Sequence, residues 1–355
     1  MKTKKLFVSV LIIMLLAISL FFIAGTQGNS KEKQKILVGM ATDVGGLGDK
    51  SFNDGCWAGL LKGQKELGIE PRLIESKQQT DYIPNLSGLA EDGCKLVFAV
   101  GFLMADAMIE AAKTHPDTYF GGVDIFVDPS KAPKNAIGIL FKEQEAGYLT
   151  GVVAGLLTKK YAYISDKLND QNVVGIVLGM DIPPVERYQA GFYAGVKSVN
   201  PDCKVISIVA GAFNDQAKGK EATYALAEQG ADIVLQIAGL TGLGVINGAK
   251  EKNILAIGAD ADQNYLAPDT VVTSALKKTT QAVYLVIKYL LDGSIEGGTN
   301  LVFGIKEGAT GIAPFHSFDS IIPQEVKDAV EKAIEGIKNG TIKVPATRKE
   351  AGYEG

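Results

Sequence analysis

The sequence predicts an α/β protein built from two similar lobes, and three observations support this fold class. Short apolar runs rich in β-branched residues alternate with stretches of helical period, which is typical of strands and helices that form a parallel sheet. This alternation occurs in the first half of the chain and starts again near residue 173. A chain of 355 residues also exceeds the size of one ordinary hydrophobic core. We therefore expect two doubly wound lobes with parallel sheets.

The first half of the chain contains five candidate strands and three candidate helices. The strands are predicted at Ile36–Met40, Pro71–Ile74, Leu96–Val100, Tyr119–Val123 and Ala136–Leu140. The helices are predicted to begin near Ser51, Tyr82 and Met104.

The second half repeats this pattern and ends in a tail. Its strands are predicted at Val173–Leu178, Lys204–Val209, Ile233–Ile237, Leu255–Gly258 and Val271–Ala275. Its helices are predicted at Val185–Val199, Gln216–Gln229 and Gly244–Lys252. The tail is predicted to contain a helix at Thr279–Leu291, strands near Leu301–Phe303 and Gly311–Pro314, and a helix at Pro323–Asn339.

We expect the tail to return to the first lobe. The first lobe would then comprise residues 35–141 and 278–355, and the second lobe residues 142–277. The chain would cross a hinge near Phe141 and again near Lys278.

Residues 1–34 are predicted to be a signal peptide and spacer. Three lysines, the last of them Lys5, precede an uncharged stretch from Leu6 to Ala24, which indicates export to an extracytoplasmic location. The stretch is also just long enough to span a bilayer, so an uncleaved membrane anchor is an alternative. The segment Ile23-Ala24-Gly25-Thr26 resembles a bacterial lipoprotein cleavage site, but Thr26 stands where the lipid-accepting cysteine should be. The protein is therefore expected to be membrane-associated through this segment, or secreted.

Composition and charge exclude several classes of protein. Hydrophobic residues make up 46% of the chain and charged residues 21%, which is typical of a packed globular protein and excludes a disordered one. The net charge is −4 and no long basic run is present, so nucleic acid is not an expected partner. Cys56, Cys94 and Cys203 lie far apart, within or beside apolar runs, which favours small buried side chains over a metal site or disulfides. No metal and no cofactor is predicted.

No motif in the sequence indicates catalysis. The segment from Gly45 to Ser51 follows a strand and opens a helix, but Asp49 interrupts the spacing that a phosphate-binding loop requires. The glycines from Gly239 to Gly244 favour a tight turn that lets the backbone approach a neutral ligand. Only two histidines exist, and the Gly-x-Ser-x-Gly and His-Glu-x-x-His motifs are absent. A non-enzymatic function is therefore predicted.

Candidate ligand-binding residues lie where strands end, because ligands of open parallel sheets bind beyond the carboxyl ends of the strands. Asp43, Asp124 and Asp260 occupy such positions and could accept hydrogen bonds from ligand hydroxyl or N–H groups. The alternative is that these aspartates cap the helices that follow. Lys277 or Lys278, at the expected hinge, could donate to a ligand, although a solvated surface lysine is an equal alternative.

Two aromatic residues could stack on a planar ligand from opposite lobes. Phe52 begins a helix in the first lobe and Phe213 follows a strand in the second. The alternative for Phe52 is a role as the first core residue of its helix, which Ser51 and Asp54 could cap.

Six segments resemble the basic membrane protein family of bacterial substrate-binding lipoproteins, whose best understood members are purine nucleoside receptors of ABC importers. They are GMATDVGGLGDKSFNDGCWAGL (Gly39–Leu60), FKEQEAGYLTGVVAGLL (Phe141–Leu157), ERYQAGFYAGVKSVNP (Glu186–Pro201), NDQAKGKEAT (Asn214–Thr223), AGLTGLGVI (Ala238–Ile246) and IGADADQ (Ile257–Gln263). The resemblance extends from Lys35 to Gly340.

The resemblance implies a type I periplasmic-binding-protein fold whose two lobes close on a purine nucleoside, such as adenosine, guanosine or inosine, for delivery to an ABC permease. The ligand-binding residues it implies, together with Gly239 from the turn above, are Asp43, Phe52, Asn53, Asp124, Phe213, Gly239, Asp260 and Lys277. Asp260 and Lys277 would hold the ribose, and Asp43 with Asp124 would read base or sugar edges. Thr26 departs from the family, which is normally lipidated on a cysteine at that position.

Three other functions are alternatives. A sugar-binding or autoinducer-binding protein could use the same fold, and so could a surface sensor or adhesin that passes no cargo. A nucleoside hydrolase or phosphorylase belongs to the same α/β class, but such enzymes need a metal-binding aspartate cluster or a phosphate-binding set that the sequence does not show.

Overall fold

Residues 35–353 are described by a computed structural model of the protein, and they form two six-stranded sheets covered by helices. The predicted export segment and its Thr26 lie outside the described residues. Within residues 35–353, no helix has both the length and the apolar character required to cross a bilayer.

The first series of elements alternates strands and helices as predicted. The strands are β1 (Leu37–Thr42), β2 (Glu70–Glu75), β3 (Leu96–Val100), β4 (Tyr119–Val123) and β5 (Ala136–Phe141). The helices are α1 (Phe52–Leu67), α2 (Tyr82–Glu91) and α3 (Ala105–Thr114).

The second series begins with a helix that the sequence analysis did not predict. This helix is α4 (Glu143–Leu157), and it is followed by β6 (Val173–Leu178), α5 (Pro183–Val199), β7 (Lys204–Val209), α6 (Gln216–Glu228), β8 (Ala231–Ile237), α7 (Leu240–Glu251), β9 (Leu255–Asp260) and β10 (Val271–Lys277). Almost every residue of α4 is buried, so the helix lacks the polar face that produces a recognisable helical period.

The tail contains α8 (Thr279–Asp292), β11 (Thr299–Phe303), β12 (Thr310–Ile312), α9 (Gln324–Asn339) and the short α10 (Arg348–Ala351). The first sheet has the strand order β2-β1-β3-β4-β5-β11, and all of its pairs are parallel. The second has the order β7-β6-β8-β9-β10-β12, and only β12 is antiparallel to its neighbour. The predicted α/β class with two parallel sheets is therefore confirmed.

The chain passes between the two sheets three times. It enters the second lobe after Phe141, returns to the first after Lys277, and crosses again between Phe303 and Thr310. Backbone hydrogen bonds join these crossings, since the amide of Lys142 donates to the carbonyl of Phe303 and the amide of Lys278 to the carbonyl of Ala309.

The expectation that residues 278–355 all belong to the first lobe is wrong for the last part of the tail. Helix α8 packs on α1 and β11 pairs with β5, both in the first lobe, but β12 pairs with β10 in the second sheet. Phe318, Ile322 and Val326 then join the core around α4 and α5. The strongly amphipathic α9 needs an apolar surface to cover, and the outer face of α4 provides it.

The three cysteines are free and buried, as predicted. Cys56 lies in the core of the first lobe, Cys94 in its second cluster beneath α2 and α3, and Cys203 in the core of the second lobe.

Candidate ligand-binding site

All eight predicted site residues line one cavity between the two sheets. They are Asp43, Phe52, Asn53, Asp124, Phe213, Gly239, Asp260 and Lys277. The cavity contains about 550 Å³ of empty space, part of it open to solvent. The loops at the carboxyl ends of both sheets therefore converge on one space between the lobes.

Asp43 follows β1 and lies at the base of the cavity. Its Oδ1 accepts a hydrogen bond from the amide of Gly45 at 2.9 Å and another from Nδ2 of Asn53 at 3.4 Å. Burial raises the pKa of Asp43 to about 6, although both hydrogen bonds oppose the shift. The carboxylate therefore belongs to the lining of the site and does not cap a helix.

Asp49 fixes the loop that carries Phe52 and Asn53. Its carboxylate accepts hydrogen bonds from the backbone amides of Ser51, Asn53 and Asp54, at 3.0, 2.8 and 3.1 Å. Asp49 thus satisfies the first amides of α1, a role that the sequence analysis gave to Ser51 and Asp54. Asn53 is only 3% exposed, and its Oδ1 has no hydrogen-bond partner among the described residues. An unpaired acceptor is therefore available at the cavity wall.

Asp124 and Asp260 occupy equivalent strand exits in the two lobes. Both have left-handed backbones, with φ of 63° in each case, a conformation that few residues other than glycine adopt. Such local strain is often found where a protein holds a functional side chain in place. Oδ2 of Asp124 accepts a hydrogen bond from Nζ of Lys277 at 2.7 Å, whereas its Oδ1 is buried and has no partner within residues 35–353.

Asp260 lies beside a tyrosine that the sequence analysis did not single out. The hydroxyl of Tyr188, on α5, donates to Oδ1 of Asp260 at 2.8 Å. Burial raises the pKa of Asp260 to about 6 against the opposing effect of Lys277, whose Nζ is 3.8 Å from Oδ1. One edge of the Asp260 carboxylate is therefore held by Tyr188, and the group lines the cavity.

Lys277 is the cation at the centre of the site, and Lys278 is exposed. Nζ of Lys277 lies 2.7 Å from Asp124, 3.7 Å from Glu143 and 3.8 Å from Asp260. Burial disfavours its charge, but these carboxylates outweigh that effect and raise the pKa of Lys277 above its ordinary value. Lys277 is therefore a permanent ammonium group.

Glu143 forms ion pairs with both Arg187 and Lys277. The carboxylate of Glu143 is fully buried and accepts from Nε of Arg187 at 2.5 Å. Burial raises the pKa of Glu143, and the charges of Lys277 and Arg187 oppose the shift. The sequence offered one signal for this pair, since both residues lie in segments that resemble the family, at Phe141–Leu157 and Glu186–Pro201.

Aromatic rings line the cavity from both lobes. Phe52 is supplied by the first lobe, and Phe213 and Tyr188 by the second. Nζ of Lys277 lies 4.6 Å from the centroid of the Phe52 ring, a distance typical of a cation–π contact. Phe52 also packs against the core of its own lobe, as the core alternative expects, while its stacking on a ligand stays a prediction.

Gly239 immediately precedes α7 and has a φ of 56°, which allows the backbone to turn at the cavity wall. A Cβ on Gly242 or Gly244 would lie 1.9 Å from Oε1 of Gln236 or from the carbonyl of Gln216. These two glycines therefore permit close packing of α7 and do not form a phosphate loop.

Two hydrogen bonds join the lobes across the cleft. Nδ2 of Asn214 donates to the carbonyl of Val44 at 3.2 Å, and Nε2 of Gln263 donates to the carbonyl of Lys50 at 3.2 Å. With the Lys277–Asp124 ion pair, they join side chains of the second lobe to the first lobe. The structure therefore represents a closed arrangement of the lobes.

The polar lining consists mainly of hydrogen-bond acceptors. Four carboxylates, those of Asp43, Asp49, Asp124 and Asp260, face the cavity, and Lys277 is its one cationic lining residue among the described residues. Such a site favours a ligand that donates several hydrogen bonds and carries no negative charge.

A family model for ABC transporter substrate-binding proteins of the PnrA-like (Bmp) type matches residues 36–348. The chain belongs to this family. A relative in Lactococcus lactis subsp. cremoris, named ABC transporter nucleoside-binding protein BmpA, is 33% identical, with 91% of this chain and 92% of the relative covered. Basic membrane protein A1 of Borrelia garinii subsp. bavariensis is 30% identical, with 96% and 97% covered. The family that the six segments indicated is therefore confirmed for this chain.

Solved structures of solute-binding proteins share the fold of this Bmp-family chain. An ABC transporter solute-binding protein of Aeropyrum pernix K1 superposes with a TM-score of 0.81 at 26% identity, covering 89% of this chain and 95% of the other. A sugar-binding protein of Bacillus halodurans has a TM-score of 0.59 at 14% identity, with 81% of this chain and all of the other covered. This similarity shows a common fold and no more. The predicted periplasmic-binding-protein fold is confirmed, and the family's role is substrate binding for ABC transporters.

Proposed function

We propose that this Bmp-family protein captures a purine nucleoside between its lobes and delivers it to the permease of an ABC importer. The observation that carries the proposal is the composition of the cavity, which combines an aromatic ring from each lobe with buried acceptors, two of them unpaired. A purine offers a flat face for the rings, and ribose hydroxyls offer donors for the carboxylates.

The division of roles follows from the positions of the side chains. Asp260 and Lys277 lie together and suit the vicinal hydroxyls of a ribose, which can donate to the first and accept from the second. Asp43 and Asn53 lie on the first lobe beside Phe52, where they suit a donor at the edge of a base or sugar. The name of the Lactococcus lactis relative, a nucleoside-binding protein, supports this assignment.

Calorimetry with separate ligands tests the proposal. The protein is unfolded, dialysed and refolded to remove any co-purified ligand, and is then titrated with adenosine, guanosine, inosine, cytidine and ribose. We expect micromolar or tighter binding of at least one purine nucleoside, on the order of 8 kcal/mol. Tight binding of ribose without binding of any nucleoside would instead establish a sugar receptor.

We also propose that the protein works outside the cytoplasm. The lysine-rich start and apolar stretch of residues 1–24 support export, as does membership of a transporter substrate-binding family. Cell fractionation of the parent, Thr26→Cys and Thr26→Ser tests this proposal. We expect all three in the extracytoplasmic or membrane fraction, with lipid attached only to Thr26→Cys. Recovery of the parent in the cytoplasm would contradict the proposal.

A further inference from the structure

A buried glutamine outside the cavity lining connects the two lobes. Gln263 is completely buried, and Nε2 of its side chain donates to the backbone carbonyl of Lys50 across the cleft at 3.2 Å. Lys50 belongs to the loop that Asp49 organises, two residues before Phe52 and three before Asn53. The contact therefore reaches the loop that carries the ligand-facing residues of the first lobe.

The other bonds of Gln263 hold it rigidly within the second lobe. Its Oε1 accepts from Nε2 of Gln236 at 2.8 Å and from the amide of Ala259 at 3.0 Å. The backbone amide of Gln263 donates to Oγ of Ser274 at 3.1 Å. Because Oε1 is fixed by these donors, Nε2 can point only toward the first lobe.

The same network reaches the cavity wall of the second lobe. Oε1 of Gln236 accepts from the amide of Ala238, which lines the cavity next to Gly239. A continuous chain of hydrogen bonds thus runs from the exit of β8 through Gln236 and Gln263 to the Phe52 loop. Fully satisfied buried networks of this kind favour one arrangement of the groups they join.

We infer that Gln263 is a positioning residue for ligand capture, which holds the segment Asp49–Asn53 against the second lobe when the cleft is closed. The inference rests on the proposed function of the cleft but not on the identity of the nucleoside. Opening the cleft breaks the bond to Lys50, so this bond stabilises the closed state alone. Gln263 therefore raises affinity although it lies outside the cavity lining.

The exposed contact between Asn214 and Val44 is a weaker candidate for this role. Water competes for its amide and carbonyl in both states of the cleft, so its loss changes the equilibrium less. The Gln263–Lys50 contact is better shielded from water, because its donor is completely buried.

Two substitutions and one control test the inference. Gln263→Met removes the amide at similar length, and Gln263→Glu keeps the acceptor for Gln236 and Ala259 but loses the donor to Lys50. Ser274→Ala removes a bond of Gln263 that stays within the second lobe. We expect the purine nucleoside that the parent binds to dissociate at least tenfold faster from both Gln263 variants, with the Ser274→Ala rate close to that of the parent.

Hydrogen–deuterium exchange of the peptide that contains residues 47–54, measured in protein saturated with that nucleoside, gives a second readout. We expect this peptide to exchange faster in both Gln263 variants than in the parent and in Ser274→Ala. Unchanged exchange and unchanged dissociation rates in both Gln263 variants would overturn the inference. Failure of the parent to bind any nucleoside would instead refute the proposed function.

Discussion

Asp43 is 5% exposed in the candidate site and the side chain of Asp260 is 11% exposed, and removal from water raises the pKa of each to about 6. Within residues 35–353 neither has an arginine partner, and Oδ2 of each accepts no hydrogen bond from these residues. Perturbed titratable groups that converge on a cleft are typical of functional sites, because burial without full pairing does not improve stability. Their burial and position are consistent with the proposed role of the two side chains in ligand binding, and a substitution can test it.

Replacing Asp260 by Asn separates these two roles. The amide can still accept from Tyr188, but it loses the charge that attracts ribose hydroxyls, so we expect affinity to fall about 10- to 100-fold, or roughly 1–3 kcal/mol. The unliganded protein should melt at the same temperature or higher, since a buried charge is removed. Calorimetry and thermal unfolding measure the two effects. Normal affinity combined with a large loss of stability would make Asp260 a structural residue.

The cavity-lining side chains that could be predicted from the sequence are those that directly follow a strand. Asp43, Asp124 and Asp260 are examples, because the carboxyl ends of parallel strands converge whatever the details of packing. Tyr188 could not be found this way, because it enters the cavity from the side of a helix. Its position depends on how closely α5 packs on α4, which only tertiary structure shows.

At the level of elements, helices α4 and α5 are in very close contact, and glycines make this possible. A Cβ on Gly147 would lie 2.3 Å from the carbonyl oxygen of Tyr188, and one on Gly191 would lie 2.0 Å from that of Gln144. Both values are shorter than a carbon–oxygen contact allows, so side chains at these positions would push the helices apart. The close approach places Glu143 and Tyr188 at the same side of the cavity.

We therefore expect Gly191→Ala to destabilise the protein by about 1–3 kcal/mol, because the added methyl group collides with backbone that cannot move independently. Gly88→Ala is the matched control. Gly88 lies inside α2 with no atom within 4 Å of an added Cβ, so this change should stabilise the protein by about 0.5–1 kcal/mol. Urea unfolding of both variants measures the difference. Equal stability of the two variants would contradict the packing argument.

The elements that the sequence missed share a physical cause. Amphipathic helices carry their period in the sequence, and their predicted bounds agree closely with the structure, as α9 shows. Helix α4 is buried on nearly all sides, and the course of the tail after Phe303 depends on the surfaces of other elements on which it packs. Local periodicity contains neither kind of information.

For the molecule as a whole, binding and closure of the lobes are coupled. Phe52 and Phe213 come from different lobes, so a base can contact both rings only in the closed state. We expect the radius of gyration to decrease when a nucleoside is added, and Phe213→Ala to reduce both the affinity and this compaction. Small-angle scattering with and without the nucleoside measures the change. An unchanged radius at saturation would place the ligand within one lobe.

Stability should also depend on pH through the buried carboxylates. Asp43 and Asp260 have native pKa values of about 6, above the ordinary value of 3.8, so the native state holds more protons between about pH 4 and pH 6. The free energy of unfolding should therefore fall as the pH rises through this window, by up to about 3 kcal/mol per group. Denaturant unfolding at several pH values checks this. The double variant Asp43→Asn, Asp260→Asn should show a flatter dependence, and an identical slope would disprove the assignment.

The three crossings between the sheets determine the order in which the lobes can be completed during synthesis. Helix α8 supplies Val283, Val286 and Ile287 to the core of the first lobe, and β11 supplies its edge strand beside β5. The ribosome makes both only after the whole of β6–β10. The first lobe is therefore completed only after most of the second lobe has been synthesised. Its core remains incomplete while more than a hundred further residues are added to the chain. A nascent chain that stalls before α8 would hold a nearly complete second lobe and a first lobe with an exposed apolar surface.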